Sequence, residues 1–406
     1  MRRRGVFVLT YWSWPDALIQ TYTLPYVRQI RAALPADEPL WLLTLEQNPP
    51  STAEASAIRT KLKSEGIHWL WIPYTRFGMG MVLRLTWVLV GLWLRVLTMR
   101  FRALHAWCMP AGALGWLLSV STSTPLHMDS YEPHAEAMVE NGTWPRTGWA
   151  YRILAWFERR LTRRASVLIS CTEGYLQAAP QLFNTSFALK QTFVKPACTD
   201  LQLFRPELRK DPQLMAELGL EGALVAVYAG KFGGIYLRQE VFAFLAACYK
   251  HWGAQFRALL LTNHPESELQ NWAKAEGLPW ACVILRFVPH AEVPRYMGLG
   301  DFGLTPVLSA PSKQYCTPIK DGEYWALGLP VVITPNISDD TRLIETHRAG
   351  VVQHYTCPET YPETVRQLDA LLQEPEATRM PRIRALAETY RPFTLSQQIY
   401  RQLYGG

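Results

Sequence analysis

Short apolar runs alternate with segments of helical pattern along the whole chain, and this alternation limits the possible folds more than any other feature. In the first half the runs are 6–10, 40–44, 68–72, 125–128 and 166–170. In the second half they are 224–228, 258–262, 281–285, 302–305 and 331–334. Short strands separated by helices form parallel sheets that helices cover on both faces. The sequence therefore predicts an α/β protein with two Rossmann-like, doubly wound parallel sheets.

The length of the chain requires more than one hydrophobic core, because 406 residues exceed the size at which single cores stop growing. The segment 206–222 is charged and is interrupted by Pro206, Pro212 and Gly219, which favours a hinge close to it. We therefore predict an acceptor-side domain at 1–205 and a nucleotide-sugar-binding domain at 206–389. A terminal helix at about 390–406 is expected to pack back on the first domain.

Composition excludes several classes of protein. Apolar residues form 49% of the chain and charged residues 18%, which argues against disorder. The seven cysteines show no CxxC spacing, which argues against a disulfide framework or a zinc knuckle and favours a reducing cytoplasm. The front loop at 10–27 lacks the GxGxxG pattern, so a nicotinamide-dependent dehydrogenase is disfavoured.

Positive charge is concentrated in the first half, where residues 1–205 hold 22 Lys and Arg against 13 Asp and Glu. The strongest membrane candidate, Met79–Met99, is interrupted by Arg84 and Arg95, which disfavours a spanning helix. Together with the basic cluster at 158–164, this stretch favours peripheral attachment to the anionic inner face of the cytoplasmic membrane. The alternative is an ordinary buried helix with a solvated face. No nucleic-acid motif is present, so we expect no nucleic-acid partner.

The segment TPIKDGEYWALGLPVV at 317–332 is the most informative part of the second half. Thr317 and Pro318 precede helix-compatible residues, so free backbone N–H groups and the helix dipole favour an anion such as a diphosphate at this point. Lys320 adds a full charge in the first turn. The carboxylate of Glu323 has the chemistry to accept hydrogen bonds from two ribose hydroxyls. The alternative is a capped helix with a solvated lysine and glutamate.

Two further loops follow predicted strands of the second half. In the first, Gly230, Gly233 and Gly234 permit close approach of the backbone to a ligand, and Lys231 has the charge to neutralise phosphate. The second begins with Asn263, a candidate contact to base or ribose. Because ligands of open α/β sheets bind beyond the carboxyl ends of the strands, these loops and the helix start at 317–318 are expected to form one donor site. Taken alone, the glycine-rich sequence also fits a plain turn.

In the first half, the segment 127–144 follows a strand and brings Asp129, Glu132 and His134 within six residues. Three ionisable groups at a strand end indicate a pocket wall, and a solvated loop is the alternative. The mixed Asp, Glu and His spacing is poor evidence for a metal site, so no metal is expected.

The chain resembles family 4 glycosyltransferases of the GT-B fold. The resemblance rests on VKPACTDLQLFRPE (194–207), VYAGKFGG (227–234), RFVPHAEVPRYMGLGDFGLTPV (286–307) and TPIKDGEYWALGLPVV. It implies that Glu323 binds the donor ribose, that Thr317 and Pro318 lie on the diphosphate, and that Lys231 stabilises the leaving phosphate. It further implies that His134 and Glu132 contact the sugar or the acceptor.

Two positions depart from the pattern of this family. Many relatives have a second glutamate eight positions before the ribose-binding one, where this chain has Tyr315, so the identity of the donor sugar is open. Relatives also often carry a lysine about five positions after the basic residue of the glycine loop, where this chain has Tyr236. Lys320 is a candidate for the missing charge.

These observations predict an enzyme that moves a sugar from a nucleotide-sugar donor to a glycan or lipid-linked acceptor in cell-surface polysaccharide or glycolipid synthesis. The resemblance implies retention of anomeric configuration without a metal or other cofactor, and inversion with an Asp or Glu base stays open from the residues alone. The alternatives are a sugar-nucleotide epimerase-like GT-B enzyme and a catalytically silent module that binds nucleotide sugars at a membrane surface.

Overall fold

The computed structural model describes residues 4–74 and 79–405. Within the predicted basic apolar stretch Met79–Met99, the side chain of Arg84 lies outside the described residues. The chain divides into two compact α/β units. The first unit consists of Met1–Val139, Trp144–Lys195 and Thr394–Gly406, and the second consists of Glu140–Thr143 and Pro196–Phe393.

In its described part, the first unit has a sheet of seven parallel strands. They are β1 (Val6–Leu9), β2 (Leu40–Glu46), β3 (Ile67–Pro73), β4 (Ala103–Trp107), β5 (Leu126–Tyr131), β6 (Val167–Ser170) and β7 (Gln191–Val194). The strand order is β3-β2-β1-β4-β5-β6-β7, so the order reverses between β1 and β4. This is the doubly wound arrangement that the sequence predicts.

Helices connect the strands of the first unit. They are α1 (Leu24–Ala33), preceded by a π-helical turn at Leu18–Thr23, α2 (Thr52–Ser64), α3 (Met79–Met99), α4 (Cys108–Thr122), α5 (His134–Glu140), α6 (Trp149–Arg164) and α7 (Glu173–Leu182). Ser51 begins α2 with a capping box, in which its side chain and that of Glu54 each accept from the other's backbone N–H. No helix in the described part is long and apolar enough to cross a membrane.

The described residues of the second unit form a sheet of six parallel strands in the order β10-β9-β8-β11-β12-β13. These are β8 (Leu224–Ala229), β9 (Phe256–Leu261), β10 (Val283–Arg286), β11 (Phe302–Thr305), β12 (Val331–Ile333) and β13 (Gly350–Val352). The helices are α8 (Pro212–Glu217), α9 (Gln239–Trp252), α10 (Glu266–Ala275), α11 (Val293–Met297), α12 (Ile319–Ala326), α13 (Asp340–Thr346), α14 (Tyr361–Leu372) and α15 (Glu376–Tyr390).

Helix α16 (Phe393–Tyr404) belongs to the first unit from Thr394 onward, although it follows α15 of the second unit in sequence. Tyr400 and Tyr404 on this helix are fully buried, and the hydroxyl of Ser396 hydrogen-bonds the side chain of Gln29 at 2.5 Å. The division between the units falls at Lys195 and Pro196, ten residues before the predicted boundary. The segment 196–205 belongs to the second unit because Phe204 packs in its core and the N–H of Thr199 bonds the carbonyl of Arg391.

The core of the second unit lies on both faces of its sheet, as a parallel sheet requires. Along β8, Val225 and Val227 pack in one apolar cluster, while Ala226 and Tyr228 pack in the cluster on the opposite face. Alternation of side chains across a strand explains this division. Because both faces of the sheet are apolar, polar side chains are placed at the carboxyl ends of the strands.

Candidate active site

Two loops of the second unit begin side by side where the strand order reverses. The glycine loop (230–234) follows β8, and the segment that leads to α12 follows β11, the neighbour of β8 in the sheet. Backbone hydrogen bonds tie the two loops together: Leu237 N–H donates to the carbonyl of Pro306 at 2.9 Å, and Leu308 N–H donates to that of Ile235 at 2.8 Å. Ligands of doubly wound sheets bind at such a point.

The ammonium of Lys320 lies against the glycine loop. Its Nζ is 3.8 Å from the centre of the Tyr236 ring and 4.6 Å from that of Tyr228. A Cβ on Gly230 would approach this nitrogen to 3.0 Å. The side chain is 6% exposed, and its ammonium has no hydrogen-bond partner among the described residues. Burial lowers the pKa of Lys320 to about 8, against the opposing influence of Asp321 and Glu323.

The glycines of the loop adopt backbone conformations that side chains rarely take. Gly230, Gly233 and Gly234 have φ angles of 147°, 83° and 64°. Lys231, between them, is exposed, and within the described chain its ammonium forms neither an ion pair nor a hydrogen bond. The carbonyl of Lys231 accepts a hydrogen bond from the hydroxyl of Tyr228. The loop therefore presents one exposed cation, while Lys320 supplies a second, buried one.

The start of α12 is built as the sequence predicts. Pro318, with φ −66° and ψ 127°, stands immediately before the helix, so the first N–H groups of α12 have no partner within it. Thr317 is buried, and its hydroxyl lies 3.3 Å from that of Ser338. Gly328 ends the segment at a φ of 72°, where a side chain would strike Met380.

Glu323 lies in the second turn of α12 and remains partly exposed. Its carboxylate has no hydrogen-bond partner among the residues that the structure describes. Burial raises the pKa of Glu323 to about 7, while the positive charge of Lys320 opposes this shift. A carboxylate held without a protein partner is available to a ligand.

A buried acid pair, which the sequence analysis did not find, lies under the first turn of α12. Asp321 accepts a hydrogen bond from the hydroxyl of Thr305 and contacts Asp340, which pairs with the guanidinium of Arg391. All three charged side chains are at most 2% exposed. Burial, and then repulsion from Asp340, raise the pKa of Asp321 well above its ordinary range.

The other predicted donor-side residues are more exposed. Asn263 follows β9 and is exposed, while the neighbouring His264 hydrogen-bonds Glu268 at 3.0 Å. Tyr315 ends a 3-10 helix at Pro311–Tyr315 and is partly exposed. Among the described residues, Asn263 makes no hydrogen bond or ion pair with Lys320 or with the glycine loop.

In the first unit, Glu132 and His134 lie between β5 and α5. His134 Nδ1 is 4.0 Å from Glu132 Oε1, and each side chain is 25% exposed. Beneath them, the buried carboxyl of Glu158 accepts from the N–H of Ala135 at 2.7 Å. Burial raises the pKa of Glu158 to about 8. The described residues contain no group of three or more His, Cys, Asp and Glu side chains placed to hold a metal ion.

Asp129 has a different position from the one expected of a pocket wall. It is fully buried and is contacted by Lys195 at 2.9 Å, by Tyr400 at 2.8 Å and by His105 at 3.2 Å. Burial raises the pKa of Asp129, but the positive charge of Lys195 and the contact with His105 outweigh it and hold the pKa at about 2. Because its carboxylate is enclosed by these donors, we assign Asp129 to fixing α16 on the sheet instead of to sugar contact.

No pattern along the sequence indicated the buried networks. The partners of Asp129 lie at positions 105, 195 and 400, and those of Asp321 lie at 305 and 340. Such separations carry no periodic signal. Lys195 directly follows β7, an edge strand with exposed polar residues, so nothing in the sequence indicated that this lysine is buried.

Residues 23–187 match the family model described as "Glycosyl transferase 4-like domain". No curated protein sequence matches the chain. Among solved structures, HepE from Anabaena in complex with UDP is similar with a TM-score of 0.72 and 16% identity, over 98% of this chain and 99% of that one. Sucrose-phosphate synthase from Thermosynechococcus elongatus has a TM-score of 0.71 and 14% identity, over 99% of both chains. WaaG, a glycosyltransferase involved in lipopolysaccharide biosynthesis, has a TM-score of 0.70 and 16% identity, over 99% of this chain and 100% of that one.

The structural neighbours confirm the predicted fold, since their similarity extends over both parallel-sheet units. The family match covers most of the first unit, where the sequence resemblance had found no motif. Residues 23–187 therefore match a glycosyl transferase 4-like domain, and the chain has the fold of the GT-B glycosyltransferase structures to which it is similar.

Proposed function

We propose that this enzyme transfers a sugar from a UDP-sugar to an acceptor hydroxyl, with retention and without an essential metal, in the synthesis of a cell-surface polysaccharide or glycolipid. One observation carries the donor part of the proposal: the buried ammonium of Lys320 lies at the glycine loop and has neither a hydrogen-bond nor an ion-pair partner among the described residues. A buried cation without a partner is costly unless a ligand supplies the negative charge. A nucleoside diphosphate supplies it, and HepE, which is similar in structure, has been solved in complex with UDP, with UDP and glucose, and with UDP-glucose.

Each donor-side residue has a role in this proposal. Lys320, Lys231 and the free N–H groups at the start of α12 bind the diphosphate, and the glycine loop approaches it with its backbone. Glu323 accepts hydrogen bonds from the ribose hydroxyls. Asn263 contacts the base or ribose, and Tyr315 takes the position where relatives hold donor-sugar hydroxyls with a glutamate.

The chemical step breaks the bond between the anomeric carbon and the diphosphate oxygen. The electron pair of this bond leaves with the diphosphate, whose growing negative charge is stabilised by the two fixed ammonium groups. The acceptor oxygen forms the new bond to the anomeric carbon, and its proton passes to the leaving phosphate. His134 and Glu132 contact the transferred sugar or the acceptor. This arrangement provides the charge that a metal ion otherwise supplies.

The test uses water as the acceptor, so no glycan acceptor has to be known. The protein is incubated with UDP-glucose and, separately, with GDP-mannose, each with and without EDTA, and nucleotide release is measured. We expect UDP release that EDTA does not reduce. Proton NMR of the first glucose released should show the α-anomer, the configuration of the donor. Release that requires a divalent metal, or β-glucose as the first product, contradicts metal independence or retention respectively.

We further propose that the first unit attaches to an anionic membrane through the face formed by α3, α4 and α6. Helix α4 packs against both of the others. On α3, Trp87 is 78% exposed, and on α6, Trp156 is 44% exposed. The guanidinium of Arg160 lies 4.9 Å from the Trp156 ring. Exposed aromatic residues beside arginines are typical of helices that lie in a lipid headgroup layer.

Sedimentation with vesicles tests this attachment. We expect binding to phosphatidylglycerol-containing vesicles, weaker binding at high salt because the attraction is screened, and a marked loss in the double variant Trp87→Ser, Trp156→Ser. Phe287→Ser is the matched control, because Phe287 is 74% exposed and lies in the second unit. Equal binding to neutral vesicles, or no binding to either kind, would remove the proposal.

A further inference from the structure

A pocket of about 480 Å³ lies in the first unit, at the carboxyl ends of β1, β2 and β3. Four described residues line it: Tyr11, Gln47, Asn48 and Tyr74. Its volume is within the range of about 300–1,000 Å³ that small-molecule sites occupy. None of these four residues was predicted to be functional, and none takes part in the donor-side cluster.

The loop that carries Tyr11 is held by a buried carboxylate. Glu46 is 2% exposed and accepts the N–H of Trp14 on both oxygens, at 3.0 and 3.1 Å. The hydroxyl of Thr44 donates to the same carboxylate at 2.6 Å. A further backbone bond, from Leu45 N–H to the carbonyl of Trp12, is 3.1 Å long. The turn after β1 is therefore fastened to the end of β2.

Hydrogen bonds also fix the backbone at Gln47 and at Tyr74, which form the other two sides of the pocket. The N–H of Gln47 donates to the hydroxyl of Ser13 at 2.9 Å, and that hydroxyl donates to the carbonyl of Leu45 at 2.8 Å. The N–H of Tyr74 donates to the carbonyl of Glu46 at 2.8 Å. The backbone of the lining residues is therefore fixed before any ligand binds, which lowers the ordering entropy that binding costs.

The lining has the chemistry that binds a sugar ring. Tyr11 and Tyr74 are 40% and 41% exposed, so their ring faces are open to a ligand. Aromatic faces pack against the apolar C–H faces of sugars, and the amides of Gln47 and Asn48 each both donate and accept hydrogen bonds, as hydroxyl groups require. Burial and the neighbouring phenol of Tyr74 raise the pKa of Tyr11, so its phenol is protonated at neutral pH and able to donate. No charged side chain among the described residues lines the pocket.

We propose that this pocket binds an uncharged sugar ring of the glycosyl acceptor, between the rings of Tyr11 and Tyr74 and the amides of Gln47 and Asn48. The proposal rests on the proposed transferase function, which requires an acceptor, and adds the class of that acceptor. The four described lining side chains supply aromatic faces and amides, so the part of the acceptor that they match is a neutral glycan ring. The aromatic rings supply contact area, and the amides select the orientation of the hydroxyl groups.

The experiment is saturation-transfer NMR on the full chain with lactose, maltose and cellobiose as neutral probes and glucose 1-phosphate as the charged probe. Tyr11→Ala, Tyr74→Ala and Asn48→Ala are compared with the wild type, and Tyr390→Ala is the control, since Tyr390 is 36% exposed on α15. We expect transfer to at least one neutral disaccharide, about tenfold weaker binding in the pocket variants, and no change in the control.

UDP binding is measured by calorimetry on the same samples, so that the two proposals are tested separately. Unchanged UDP affinity in the pocket variants, together with lost disaccharide binding, supports the pocket. Normal UDP binding without any disaccharide signal, a signal that the variants leave intact, or a signal from glucose 1-phosphate alone overturns the pocket and leaves the transferase function standing. Disaccharide binding at the pocket in a protein that neither binds UDP nor releases it from UDP-glucose overturns the transferase and leaves the site as one for sugar binding.

Discussion

Replacing Lys320 by methionine tests whether the buried ammonium serves a bound ligand or the stability of the fold. Methionine has nearly the same length and flexibility, so it fills the space against Tyr236 and Tyr228 without a charge. If the ammonium serves a ligand, its removal stabilises the free protein and weakens donor binding. If the ammonium serves the fold, its removal destabilises the protein and leaves donor binding unchanged.

The effect on stability follows from the burial of the ammonium. Lowering of the Lys320 pKa from 10.5 to about 8 corresponds to about 3 kcal/mol of unfavourable free energy for the charged form. We therefore expect Lys320→Met to raise the free energy of unfolding by about 1–3 kcal/mol. Each kcal/mol shifts the thermal midpoint of a domain of this size by roughly 2–4 °C.

The sign of the pH dependence provides an internal check. The folded-state pKa of Lys320, about 8, lies below the ordinary value of 10.5, so the unfolded chain binds more protons between these two pH values. The destabilising effect of Lys320 is therefore complete below about pH 8 and is relieved as the pH rises toward 10.5. The stability gain of Lys320→Met should shrink across the same window.

Donor affinity should change in the opposite direction. A hydrogen bond to a charged group contributes about 1.5–3 kcal/mol, so Lys320→Met should weaken UDP binding roughly 10–150-fold. In the wild-type protein UDP affinity should also fall as the pH rises above about 8, because Lys320 then loses its charge. Isothermal titration calorimetry with UDP and differential scanning calorimetry measure the two quantities. Lys274→Met is the control, since Lys274 is an exposed lysine of α10.

A folded Lys320→Met protein that is less stable than the wild type and binds UDP with unchanged affinity would refute the reasoning. The buried ammonium would then be satisfied by the rings of Tyr228 and Tyr236 alone.

Three further predictions concern single side chains. Glu323→Ala should weaken UDP binding by about 1.5–3 kcal/mol, and Glu323→Gln should weaken it less. Unchanged UDP affinity of both variants in calorimetry would contradict the ribose contact. Lys231→Ala should lower the rate of single-turnover transfer at saturating donor by a factor of roughly 10²–10³, and Lys231→Arg should recover part of that rate. A folded Lys231→Ala protein with a near-normal rate would instead assign the essential cation to Lys320. Tyr400→Phe should lower the free energy of unfolding, measured by urea denaturation, by about 1.5–3 kcal/mol, because it removes a hydrogen bond to the charged Asp129. The same variant should leave UDP affinity unchanged.

Strands could be predicted from the sequence wherever they form an uninterrupted apolar run. β8 and β11 are such strands, and the structure confirms both. β4 was not predicted because His105 interrupts it, and this histidine is tolerated in the core because Asp129 and Tyr404 hydrogen-bond it. β7 was missed because it is an edge strand with exposed polar residues, and β13 because its apolar run is only two valines between Gly350 and Gln353.

The candidate site was accessible only where its residues are local in sequence. The helix start at Pro318 and the glycine loop each carry a short-range pattern with a backbone cause, and the structure builds both accordingly. The buried position of Asp129 was not accessible, because a carboxylate after a strand has the same local sequence whether solvent or Lys195 faces it. Burial depends on residues more than sixty positions away, which no local pattern encodes.

Lys320 and Tyr236 show how a departure from a family pattern is explained by structure. A lysine at position 236 would place two ammonium groups in one buried site, and each would lower the pKa of the other. With tyrosine at 236, the ring instead faces the ammonium of Lys320 at 3.8 Å, and its negative face offsets part of the cost of holding that charge before the donor arrives. In the proposed donor site, α12 would thus supply the cation that relatives often place on the loop. We therefore expect tyrosine at 236 and Lys320 in the first turn of α12 to depend on each other, because a lysine at 236 beside Lys320 would place two buried charges together, and loss of Lys320 with tyrosine at 236 would leave no buried charge at the loop.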